Sequence, residues 1–161
     1  EFKKIIGEDL KTRKDREENA KRENALMEKW LKLARMDVPE LLVEEEVDYL
    51  LDEMKSGLES RGIPWEKYVE HLKTQKKDMR ADKKEEAIKR IKIRLIINHL
   101  FKLEGIEVSE AEVEEEIARM MDQYPPQQHD QLKKQFAKGQ SAYTQLKNQL
   151  MLNKLFAKFL N

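Results

Sequence analysis

Apolar residues recur at helical spacing along almost the whole chain, and no stretch alternates as a half-buried strand would. Val43, Val47, Leu50, Leu51, Met54 and Leu58 stand at i, i+4, i+7, i+8, i+11 and i+15, so they share one face of a helix. Trp65, Tyr68, Val69 and Leu72 open the next apolar stretch, and Ile88, Ile91, Leu95, Ile96, Leu100 and Leu103 close it. Val113, Ile117, Met120, Met121 and Tyr124 mark a shorter helix. Tyr143, Leu146, Leu150, Leu152, Leu155, Phe156 and Phe159 mark a last one, apolar enough to require a partner.

The punctuation sets the boundaries. Pro39 suits a first helical turn, where its missing N–H would have had no intrahelical partner, so one helix ends near Met36 and another begins. Gly62 stops that helix, Pro64 starts a third, and Gly105 caps the end of the apolar run at Leu103. Ser109-Glu110-Ala111-Glu112 reads as a capping box, with Val108 and Val113 as its staple. Pro125-Pro126 ends the helix so begun, because neither proline fits a helix interior. A short helix over about 127–138 follows, then Gly139 and Ser141 precede the last helix. The pattern predicts an all-α chain without sequence repeats.

Two stretches depart from amphipathic patterning. Lys11–Asn24 and Lys73–Glu86 each hold ten charged residues in fourteen. A continuous helix from Pro64 to Leu103 would be roughly 60 Å long at 1.5 Å per residue, too long for a compact domain with a radius of gyration of about 15 Å. The sequence therefore predicts an elongated shape in which charged helix middles lie in water. Charged residues reach 40% of the 161, against about 25% in ordinary domains. The 32 basic and 32 acidic residues balance to zero, which argues against a nucleic-acid or membrane-surface partner. With no cysteine there is no disulfide, thiol nucleophile or Cys-ligated zinc. The longest apolar runs, such as Leu95-Ile96-Ile97, are far below the roughly 18 residues of a membrane span, so a soluble chain is expected. Its start at Glu1 without methionine reads as an excised fragment.

Catalytic patterns do not emerge. His71, His99 and His129 are scattered, so no metal site is expected. Glu44-Glu45-Glu46 and Glu114-Glu115-Glu116 sit in first helical turns, where carboxylates meet the positive end of the helix dipole. The glycines stand singly and form no phosphate loop, and no cofactor is called for. Seven methionines remain, flexible side chains suited to varied partners. Apolar stripes that an elongated body leaves open are binding surfaces.

The order of landmarks resembles one family. Val38-Pro39-Glu40, with Leu42-Val43 and Glu45-Glu46, is similar to the entry of the first arm of the trigger factor C-terminal domain. Gly62-Ile63-Pro64 before Trp65-Glu66-Lys67-Tyr68 resembles that family's glycine turn and E-x-Y pattern. Ala87–Leu103, followed by Glu104-Gly105-Ile106-Glu107-Val108-Ser109-Glu110, resembles its helix and capped junction. The resemblance implies a helical body with two projecting arms that form a cradle for unfolded or nascent polypeptides, working without nucleotide. Residues 1–36 would be a long body helix, 37–105 the first arm and return helix, 106–140 the second arm and 141–161 the C-terminal body helix. The family's ribosome-docking and prolyl isomerase domains are not matched in this chain, so ribosome contact is expected only through an N-terminal domain that is missing here. A bacterial cytoplasmic location is implied, although periplasmic chaperones of the SurA kind share the general architecture.

Two functions follow. The first is an ATP-independent chaperone domain without enzymatic activity that shields apolar segments of unfolded chains. The alternative is a helical scaffold for one folded partner or for self-association. Amphipathic pattern, rather than any family motif, nominates the client-contacting residues: Leu50, Met54 and Leu58 on one arm, and Met120, Met121, Tyr124 and Phe136 on the other.

Overall fold

A computed structural model describes residues 2–74 and 78–160, with side chains from Leu10 onward. Among them lie seven α-helices: α1 (Phe2–Leu33), α2 (Glu40–Glu59), α3 (Trp65–Thr74), α4 (Met79–Leu103), α5 (Glu110–Met121), α6 (His129–Gln135) and α7 (Ser141–Leu160). A 3-10 turn over Pro126–Gln128 leads into α6, and no strand occurs among the described residues. The chain is all-α, as its periodicity requires.

Helix ends follow the local chemistry. Gly62 and Gly105 adopt φ of 75° and 61°, and the residues after them close the helix ends: Ile63 N–H donates to the Leu58 carbonyl at 3.0 Å and Ile106 N–H to that of Phe101 at 2.9 Å. A Cβ would meet nothing within 4 Å at either glycine, so the left-handed backbone alone accounts for the residue type. At the start of α5, Ser109 Oγ accepts from the Glu112 N–H while Glu112 Oε2 accepts from the Ser109 N–H at 2.9 Å. That is the capping box read from the sequence.

One expectation is corrected. The forty residues from Pro64 to Leu103 do not form a continuous helix, because α3 ends at Thr74 and α4 begins at Met79. Gln75–Lys77, within the second charged stretch, lie outside the described residues. Asp78 supplies the physical reason for a new start: its Oδ1 accepts from the N–H groups of Arg80 at 3.0 Å and Ala81 at 3.3 Å, an N-terminal cap.

The chain divides into two compact units, residues 24–96 and residues 1–23 with 97–161. In the first, Val43, Val47 and Leu50 of α2 meet Ala87 and Ile91 of α4, with Val38, Leu51 and Ile88 packed around them. Ala87 is completely buried, and its small side chain lets the helix axes approach. Ion pairs flank this stripe: Arg80 with Glu44 and Asp48, Lys84 with Glu40, Arg90 with Glu53 at 2.8 Å, and Arg94 with Glu46 at 3.0 Å. Two residues of the second charged stretch, Arg80 and Lys84, are thus partners for acidic α2.

In the other unit Val108, Val113 and Ile117 form the buried cluster, against which Met121, Phe136, Tyr143, Leu146, Leu150 and Met151 pack. Leu155 and Phe156 of α7 are also buried. Lys154 donates to the Glu107 carbonyl at 2.8 Å, and Lys158 pairs with Glu104 at 2.7 Å, fastening α7 to the segment between α4 and α5. From α1, Arg22 donates to the carbonyl of Leu160 at the end of α7, where a cation also meets the negative end of that helix's dipole.

Candidate functional site

In residues 24–96 the turn at Gly62 folds α3 back along α2. No residue of α3 is buried, although Trp65, Tyr68, Val69 and Leu72 share its apolar face. All four are half-buried, and the Trp65 and Tyr68 rings stack with centroids 6.0 Å apart. Met54 and Leu58, at the end of α2, are half-buried as well. Leu50 differs. At 4% exposure it belongs to the core beneath them and is not offered at the surface.

In residues 97–161 the helices α5, α6 and α7 surround an open cleft of about 280 Å³. Ile117, Met121, Phe136 and Tyr143 line its apolar part, while Glu110, Glu114, Lys133 and Lys138 stand on its rim. Met121 and Phe136 are half-buried against the core cluster, whereas Met120 is half-buried outside it. Tyr124 is 44% exposed in the bend after α5. The Nε2–H of His129 donates to the Tyr124 carbonyl at 2.9 Å, which holds that bend against the start of α6. Four of the seven nominated residues thus fall in one unit and three in the other.

Sequence reasoning missed the most exposed large apolar residues, Leu33 at 79%, Leu41 at 71% and Leu103 at 66%. Leu33 and Leu103 end their helices and Leu41 lies in a first turn; only Leu103 stands in one of the apolar stripes read from the sequence, and periodicity does not say whether such a position is covered.

The ionisable chemistry is structural. Glu112 pairs with Lys154 at 2.5 Å and also accepts from Ser109, and these contacts hold its pKa at about 2 against an ordinary value of 4.5. A depressed carboxylate pKa contributes stability that is present above pH 4.5 and lost as pH falls toward 2. Glu112→Gln keeps an acceptor for Ser109 but removes the charge. Acid unfolding followed by circular dichroism should therefore show a shallower loss of stability between those pH values in the variant than in the parent.

Among the described residues no group of three or more His, Asp or Glu is placed to hold a metal, and no helix is long and apolar enough to cross a membrane. Small cores and broad half-buried apolar faces define an all-helical domain with much of its apolar surface near solvent. The family model for the C-terminus of bacterial trigger factor protein matches residues 1–161. A trigger factor of Halothermothrix orenii is 33% identical over 153 residues, covering 93% of this chain and 33% of that protein. A trigger factor of Shouchella clausii is 37% identical over 112 residues, 70% of this chain and 26% of its own. That of Caldicellulosiruptor saccharolyticus is 27% identical over 154 residues, 96% of this chain and 34% of its own. No solved structure matches the chain. The chain belongs to the trigger factor C-terminal domain family and spans about a quarter to a third of the curated relatives it matches.

Proposed function

We propose that this domain is an ATP-independent chaperone module that binds unfolded or nascent polypeptides through apolar helix faces in both units. The observation that carries the reading is the incomplete covering of large apolar side chains: no residue of α3 is buried, and Leu33, Leu41 and Leu103 are mostly exposed. Such surface is costly to leave in water without a use. Met54 and Leu58 at the end of α2, and Met120, Met121, Tyr124 and Phe136 in residues 97–161, are the proposed contacts, with Leu50 supporting the first set from beneath. Methionines suit this task because their unbranched side chains repack around unrelated clients.

The finer family architecture, a body with two arms forming a cradle, belongs to the same proposal, with the first arm and its return helix at 37–105 and the second arm at 106–140. So do a cytoplasmic location, and ribosome association and prolyl isomerisation carried by other parts of a longer parent protein. The deciding experiment is suppression of aggregation of several unrelated denatured proteins without nucleotide. The expected result is protection of most of them at a few-fold molar excess of the domain. Protection of none, or binding to a single folded partner at fixed stoichiometry, would overturn the reading in favour of a scaffold.

A further inference from the structure

The cleft between α5, α6 and α7 has a property that an indiscriminate apolar surface lacks. Its walls are apolar, but its rim is electrically divided: Glu110 and Glu114 stand one helical turn apart on α5, and Lys133 and Lys138 stand on and just after α6. Lys138 pairs with Glu110 across the rim. Glu114 and Lys133 are exposed, and neither has an ion-pair partner among the described residues. One pair across the mouth is thus closed; Glu114, which lies within the field of Lys138, and Lys133 on the opposite wall form no ion pair of their own among the described residues.

Size limits the occupant. A volume of about 280 Å³ lies below the roughly 300–1,000 Å³ typical of sites for whole drug-sized ligands, and suits a single large side chain. The lining by Ile117, Met121, Phe136 and Tyr143 offers no charged partner, so that side chain is aliphatic or aromatic. Met121 can adjust to either shape. The open charges then act on its neighbours in sequence, since a chain laid across the mouth passes α5 on one side and α6 on the other.

Resting on the chaperone reading above, we propose that this cleft selects client segments in which one large apolar residue is flanked by a basic residue on one side and an acidic residue on the other, the base meeting Glu114 and the acid meeting Lys133. Apolar contact supplies the affinity and the divided rim supplies the preference. A client segment of a single charge sign would be attracted by one wall and repelled by the other.

The test measures binding of short, unstructured fluorescent peptides to the full chain by anisotropy. The peptides carry a central leucine between lysine and glutamate, the same flanks around serine, or the leucine between two lysines or two glutamates. The parent should prefer the leucine over the serine peptide by about tenfold, and the mixed flanks over either uniform pair by about two- to fivefold at low salt, the scale of exposed ion pairs. High salt should erase the flank preference and leave the leucine preference. Glu114→Lys, at an exposed position, should shift the preference to two glutamates, an inversion that a purely structural role would not produce. Ala137→Trp, which places an indole on the cleft wall, should abolish the leucine preference while circular dichroism stays unchanged.

An unaltered flank preference in Glu114→Lys, or full peptide binding by a folded Ala137→Trp variant, would overturn the cleft proposal and leave general client protection standing. A dimer that dissociates in Ala137→Trp without change in peptide binding would assign the cleft to a second copy and equally overturn it. Absence of both peptide binding and aggregation suppression in the parent would overturn the cleft and the chaperone reading together.

Discussion

Leu50→Ala is expected to destabilise the unit formed by residues 24–96 by about 2–5 kcal/mol, the usual cost of removing a buried leucine side chain from a core that only partly collapses. The basis is its position between α2 and α4, 4% exposed and packed with Val43, Val47, Ala87 and Ile91. That core is small, so little neighbouring structure can relax into the space. Tyr124→Ser should behave in the opposite way. The residue is 44% exposed, so stability should change by about 1 kcal/mol or less, while protection of aggregating clients weakens. Denaturant titration and aggregation assays on the same two variants separate the roles. A folded Leu50→Ala domain of parental stability would mean that α2 and α4 are not held by this core, and undiminished protection by Tyr124→Ser would remove that residue from the contact surface.

The contrast between these residues marks how far the sequence could be read. Period and punctuation identify most of the helices, because Gly62, Gly105, Pro39 and the Ser109–Glu112 box impose backbone conformations that depend on a few neighbouring residues. They do not say which part of an apolar stripe is covered. Leu50, Met54 and Leu58 occupy one face of α2, yet only Leu50 lies under α4, since the depth of cover depends on where a helix distant in sequence crosses. The break before α4 was hidden for a related reason. Asp78 is one of four acidic residues in Lys73–Glu86, and its capping role is visible only once its carboxylate is seen to accept from Arg80 and Ala81. The charged stretch read as a solvated face proved to contain specific partners: Arg80 reaches Glu44 and Asp48, and Lys84 reaches Glu40, across more than thirty positions of sequence. The divided rim of the cleft is likewise assembled from segments whose order in sequence carries no sign of their opposition.

Glu46 offers the sharpest test of what those ion pairs do. It is the buried charged residue of the core region, 8% exposed beside Val43, Val47 and Leu50, and Arg94 and Arg90 approach it from α4 at 3.0 and 3.9 Å. The pair is unequal, because the two arginines are largely solvated and the carboxylate is not. Replacing both arginines, as Arg90→Met with Arg94→Met, strands a buried carboxylate and should cost about 2 kcal/mol or more. Glu46→Met removes the buried charge itself and extends the apolar stripe of α2, leaving two exposed guanidinium groups that water can satisfy. Its effect should be within about 1 kcal/mol of neutral, in keeping with buried pairs exchanged for apolar side chains of similar volume. Combining all three substitutions should recover most of the loss seen in the double arginine variant, since no carboxylate then remains to be stranded. Equal losses for Glu46→Met and for the arginine pair, measured by urea unfolding, would show instead that direct attraction across α2 and α4 dominates over the burial of one charge.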